Sequence, residues 1–230
     1  MKSTSLWRYE ARRAGWPACL AAPASLLVTV ALAVASAGFG VPPPSVHGVL
    51  LSGVEALVPL AAAMAAVTVV SVDRCRELQL ALPAAYPGTL GRRLGVVAGI
   101  GAVLSVLFST VLRLTGAWTG PQSPLASVLV WASPLLGLTG LALIVAVLGR
   151  SVVLATTTVA VVWLCQQLFA AALAAGAWSR PFFLFMTSRA GVADGWGTNR
   201  AVLAACGVLF ITTALLLLRR PERLLTEEEV

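Results

Sequence analysis

The chain has 230 residues, 59% of them hydrophobic and only 11% charged, with a net charge of +7. Soluble domains carry about a quarter charged residues, so a water-soluble core is excluded. The positive balance comes from arginines at the ends of apolar runs, with no basic stripe interleaved with aromatics. That excludes a nucleic-acid partner and points to orientation in a membrane.

In chain order, residues 1–16 mix Trp7, Tyr9 and Trp16 with Arg8, Arg12 and Arg13. Aromatic and guanidinium side chains suit the headgroup region, so an interfacial helix is predicted over 1–16. Apolar runs near 20 residues then recur, and each is long enough for a hydrocarbon core of about 30 Å. Six spans are predicted, at 18–38, 49–71, 94–114, 125–148, 151–178 and 200–218. The first could be mistaken for a secretory signal, since arginines precede it and "AVASAG" imitates a cleavage site. Its basic region is long, so Pro17 to Gly38 is read as a retained span. The fold class is thus all-α and polytopic, with a membrane domain over 17–220 and an acidic tail over 221–230 that carries "TEEEV".

The arginines set the orientation. With the N-terminus inside, the inner segments hold Lys2, Arg8, Arg12, Arg13, Arg74, Arg76, Arg92, Arg93, Arg150, Arg219, Arg220 and Arg223. The outer segments hold only Arg113, Arg180, Arg189 and Arg200. An excess of basic residues marks cytoplasmic loops, so both termini are expected in the cytoplasm, along with the connector between spans two and three. Of the outer connectors, 179–199 is the longest, and its "PFFLFM" reads as aromatic belt residues or a short helix dipping into the outer leaflet.

What is missing narrows the chemistry. Lys2 is the single lysine, so no phosphate-binding GxxxxGK[ST] loop exists. His47 is the single histidine and lies in a proline-rich turn. There is no GxSxG elbow and no HExxH. Cys19, Cys75, Cys165 and Cys206 form no CxxC pair and read as small apolar side chains. No catalytic residue and no metal site is predicted, and the chain is read as a non-enzyme.

Polar residues near the membrane are the remaining candidates. Glu55 lies inside the second span and Arg113 at the outer end of the third. A charge at mid-membrane costs about 2.5–3.5 kcal/mol on insertion scales, and a Glu55–Arg113 ion pair would reduce it. The pair is either a polar point on a substrate path or a packing contact. Gln166 and Gln167 lie in the fifth span and either bond across helices or line a pathway. Gly91, Gly95 and Gly99, spaced four apart, predict a close helix approach at the start of span three. Pro23, Pro59 and Pro134 predict kinks.

The connector between spans two and three reads "DRCRELQLALPAAYPGTLGRRLG", and the chain's last span runs "TNRAVLAACGVLFITTALLLLRRPERLL". A basic, aromatic N-terminal helix, six spans, one substantial inner connector and a long outer connector before span six together resemble the permease subunits of type-2 ABC transporters, a mainly exporting family. Glu77, Leu80, Leu82, Pro83 and Arg92-Arg93 match the family's connector of a glutamate, leucines, a proline and a basic step. The resemblance implies an elbow helix at 1–16 with Trp7, Arg12 and Arg13. It also implies a coupling helix over 74–86, with Glu77, Leu78, Leu82, Pro83 and Tyr86 docked on a separate ATP-binding cassette ATPase. A second permease subunit, identical or related, would complete the pathway in membrane lipid. ATP and Mg would bind the ATPase partner, and no cofactor this chain. The implied location is a bacterial plasma membrane. The rival readings are an ion-driven transporter or channel, an intramembrane enzyme and a non-transporting assembly protein.

Overall fold

A computed structural model describes residues 15–71 and 86–218. The elbow residues Trp7, Arg12 and Arg13 lie outside them, as do Glu77, Leu78, Leu82 and Pro83 of the coupling segment and the tail over 221–230. Among the described residues every regular element is helical.

Helix α1 spans Trp16–Gly38, with Pro17 in its first turn, where a missing N–H costs nothing. After a short turn, α2 (Pro43–Ser52) passes through a π-helical turn at Gly53–Leu57 into α3 (Val58–Ser71). The three pieces form one continuous apolar stretch, Pro43–Val70. Helix α4 is Tyr86–Leu114 and α5 is Pro124–Gly149, the latter capped by Ser123, whose side chain accepts from the Ala126 N–H. Arg150 takes the left-handed conformation at the end of α5, and Ser151 caps α6 (Val152–Leu168). Helix α7 (Ala170–Ala175) follows α6, a 3-10 turn covers Arg180–Phe182, and α8 (Met186–Ala190) precedes α9 (Trp196–Leu217).

Five of these stretches are long and apolar enough to cross a membrane, and α6 is a shorter apolar helix of 17 residues. At 1.5 Å per residue, α6 alone reaches about 26 Å. Over the predicted fifth span, 151–178, helix α6 runs to Leu168, Phe169 interrupts it, and α7 carries the path on to Ala175. The helix of the third span, α4, begins at Tyr86 instead of 94, so Arg92 and Arg93 belong to its first turns, and Arg93 is buried. The last begins at Trp196, which puts Arg200 inside a helix and not at its edge.

Burial separates centre from rim. In their most apolar windows 72% of Pro43–Val70 and 56% of α5 are buried, against 22% of α1, α4 and α9. The α2–α3 stretch and α5 thus form the middle, while α1, α4 and α9 turn large apolar side chains such as Leu27, Leu107 and Leu209 outward. Exposed faces of this kind suit lipid tails.

Glycine decides the closest helix crossing. A Cβ at Gly207 would stand 2.4 Å from the Leu136 carbonyl carbon, and one at Gly140 would stand 2.6 Å from the Gly207 carbonyl oxygen. Helices α5 and α9 therefore meet backbone to backbone. The predicted close approach at Gly91 and Gly99 is not found among the described residues, where a Cβ at either position would meet nothing within 4 Å. Small residues permit contact, but the partner must also be there.

Candidate functional site

The connector between α7 and α9 folds back into the bundle. Phe183, Leu184, Phe185 and Met186 are all buried. Phe185 makes edge-on contacts with Trp163 of α6, at 6.1 Å between ring centroids, and with Phe183, at 6.3 Å. The expectation of belt residues or of a helix in the outer leaflet is thereby corrected, because these aromatics pack against protein. Irregular backbone at membrane depth needs its N–H and C=O groups satisfied inside the protein. Polar side chains from three spans supply the partners.

Asn199 Nδ2 donates to the carbonyls of Arg180, Pro181 and Phe183 at 2.7, 3.2 and 2.9 Å. Gln166 Nε2 donates to the Phe182 carbonyl at 3.1 Å, and its Oε1 accepts from the Leu184 N–H at 2.7 Å. Arg200 Nη1 donates to the Leu184 carbonyl at 3.0 Å. Glu55 Oε1 accepts from the Thr187 N–H at 2.8 Å, and Oε2 from the Ser188 N–H at 2.6 Å. The amide, guanidinium and carboxylate side chains thus stand in for the backbone partners that a regular helix would have given this segment.

Glu55 and Arg200 form the centre. Both side chains are fully buried and paired through Arg200 Nη2 and Glu55 Oε1. Arg200 Nη2 also donates to Thr187 Oγ1 at 2.8 Å, and the same hydroxyl accepts from Trp196 Nε1 at 3.0 Å. The guanidinium lies 5.6 Å from the Trp196 ring centroid, within cation–π range. Its Nη1 points to the Val130 carbonyl of α5 at 3.5 Å.

The π turn explains how Glu55 is presented. Pro59 has no N–H to offer the Glu55 carbonyl, and the helix widens over Gly53–Leu57. In the widened turn the Ala56 carbonyl accepts from Trp163 Nε1 at 3.2 Å. On the other side Gly53 lies so close to Thr29 of α1 that a Cβ would come within 2.2 Å of its side chain. One turn of helix is held from two sides, and its carboxylate is aimed at the folded-back segment.

The expected Glu55–Arg113 pair is therefore corrected. Arg113 instead donates to the carbonyls of Pro121 at 2.8 Å and Gln122 at 3.1 Å and to Ser127 Oγ, and it lies 5.4 Å from the Trp118 ring centroid. Folding back the 176–195 connector delivers Arg200 to Glu55 and leaves Arg113 to the short loop beyond its own helix. Gln166 and Gln167 both bond to the connector that follows α7. Gln167 Oε1 accepts from Arg189 Nη2 at 2.7 Å. Tyr86 opens α4.

Sequence reasoning missed Asn199 and Arg200. The signal was there: the apolar run of the last helix begins at Trp196, so "TNR" falls in its first two turns. An asparagine and an arginine inside a span demand partners. Both Glu55 oxygens are engaged, while Arg200 Nε and Asn199 Oδ1 are buried without a hydrogen-bond partner. The capacity of the cluster is mechanical: it ties the connector to α2–α3, α6 and α9. Comparison with protein-family models, with curated proteins and with solved structures finds no match for this chain.

Proposed function

We propose that the chain is the membrane permease subunit of an ATP-driven type-2 ABC exporter in a bacterial plasma membrane. The observation that carries this reading is the layout. Apolar helical stretches follow one another in the family's order, and the longest connector among the described residues precedes the last of them. Both termini lie in the cytoplasm on the arginine distribution. With no phosphate-binding lysine loop of its own, the chain takes its energy from an ATP-binding cassette ATPase that holds ATP and Mg. The contact is the connector around Glu77, Leu78, Leu82, Pro83 and Tyr86, leading into α4. A second permease subunit, the same or related, completes the pathway. Apolar side chains of an amphipathic connector need a partner surface, and the ATPase supplies one.

An ion-coupled transporter or channel stands second and a membrane assembly protein third. Ion coupling needs an intramembrane carboxylate with an oxygen to spare. Both oxygens of Glu55 are taken by backbone N–H groups and Arg200, which favours the ATP-driven reading.

The test is co-purification. Expressed in detergent with its neighbouring reading frames, the chain is expected to bring down an ATPase. Glu77→Ala and Leu82→Asp are expected to weaken that binding and transport together. If no ATPase binds, or if both variants leave binding intact, the reading fails.

A further inference from the structure

A cavity of about 230 Å³ opens between α4 and α5, beside Arg113. Its wall includes Val106, Ser109, Arg113, Ser127, Val128 and Trp131. Val106 and Val128 are 46% and 40% exposed on the apolar rim of the bundle, so the cavity opens sideways toward lipid. Three observations define what it takes.

The first is charge. Arg113 makes no ion pair among the described residues, whose carboxylates are Glu55, held by Arg200, and Asp194. Its partners are carbonyls, a hydroxyl and a ring, none of which cancels the charge. The second is the helix end. Pro124, at the N-terminus of the 26-residue α5, also lines the cavity. Helix N-termini carry partial positive charge and favour anions, so two positive features face one space. The third is an orphan group. Ser109 is only 6% exposed, lines the cavity and has a hydroxyl with no hydrogen-bond partner. A buried polar group without a partner is costly, and this one borders the cavity.

We infer that this cavity binds the anionic headgroup of a membrane amphiphile, with its phosphate at Arg113 and its chain along the Val106–Val128 opening. The site is separate from the Glu55–Arg200 cluster and does not depend on the proposed energy source. An anion satisfies Arg113 and the α5 N-terminus together, and the apolar opening accommodates the chain that a free phosphate lacks. Arg113 lies in the last turn of α4, the level at which a span reaches the headgroups.

The probe is phosphatidylglycerol added to the full-length detergent-solubilised protein, with retained lipid counted by native mass spectrometry. The wild type is expected to hold phosphatidylglycerol and to release neutral diacylglycerol of the same chains. Arg113→Gln is expected to lower retention at least about tenfold, the size of one lost charge-assisted hydrogen bond. Val128→Trp fills the cavity from the lipid side without touching the Arg113 contacts, and it is expected to lower retention as much. It carries the test by itself if Arg113→Gln does not fold. The inference is overturned if diacylglycerol is held as well as phosphatidylglycerol. It is also overturned if inorganic phosphate alone displaces the lipid at millimolar levels, or if Val128→Trp retains the lipid like the wild type.

Discussion

Two arginines contact the first turns of α5, and the molecule treats them differently. Arg200 reaches the Val130 carbonyl, fully buried and paired with Glu55. Arg113 reaches Ser127, half-buried and without a carboxylate among the described residues. The first guanidinium is spent on structure, holding a folded-back connector. The second keeps its charge available beside a cavity. Arginine in a membrane bundle is thus no marker of function by itself. What counts is whether the fold has already supplied its counter-charge.

Breaking the first arginine should cost most. Arg200→Met leaves Glu55 buried and unpaired, and breaking a buried ion pair in this way typically costs about 3–5 kcal/mol. Thermal unfolding in detergent is expected to show that loss. A variant as stable as the wild type would place Arg200 in the same class as Arg113. Asn199→Leu should come next, at about 1–3 kcal/mol, because it strands the Pro181 and Phe183 carbonyls and leaves that of Arg180 with only the Phe183 N–H. Hydrogen exchange should localise the change to residues 180–188, with α4 unaffected.

Gly207→Ala tests whether the α5 backbone beyond the two arginine contacts is pinned. The added methyl meets backbone, and overpacking of this kind costs about 1–3 kcal/mol. Gly99→Ala, with open space around it, is expected to be neutral or to stabilise by up to about 1 kcal/mol through helix propensity. Equal effects from the two glycines would undo the assignment of the close crossing. The smallest effect belongs to Arg113→Gln, at below about 1 kcal/mol in the same thermal assay. A loss as large as that of Arg200→Met would end the contrast.

The helical stretches were legible because a hydrocarbon layer demands long apolar runs, and such runs are read directly from a chain. Their ends were less so: Tyr86 and Trp196 begin helices about two turns and one turn before the predicted apolar spans do. The cluster was half legible. Glu55 announced itself as a charge inside a span, but the choice between Arg113 and Arg200 depended on whether the 176–195 connector turned outward or back. "PFFLFM" carries the same composition for a lipid interface as for a protein interior, so the sequence could not separate them. Asn199 and Gln166 matter because of which carbonyls come within reach, a property of the folded chain alone. The glycines make the same point: Gly91 and Gly99 of the regular spacing meet nothing among the described residues, and the crossing uses the irregular pair 140 and 207.

The π turn at Gly53–Leu57 has a further consequence when considered as a phase. An α-helix advances about 100° per residue, so a locally widened turn acts as a dislocation between the two halves of the α2–α3 stretch. Upstream, the helix is indexed to Thr29 through Gly53; downstream, it is indexed to the central packing through Val58, Ala62 and Val67. A strictly regular helix could satisfy one indexing and would rotate the other out of place. Deleting a single residue from 53–57 should therefore heal the dislocation and turn one half against its neighbours by about one residue's angle. The carboxylate of Glu55 sits at the fault itself, where neither half alone dictates its direction.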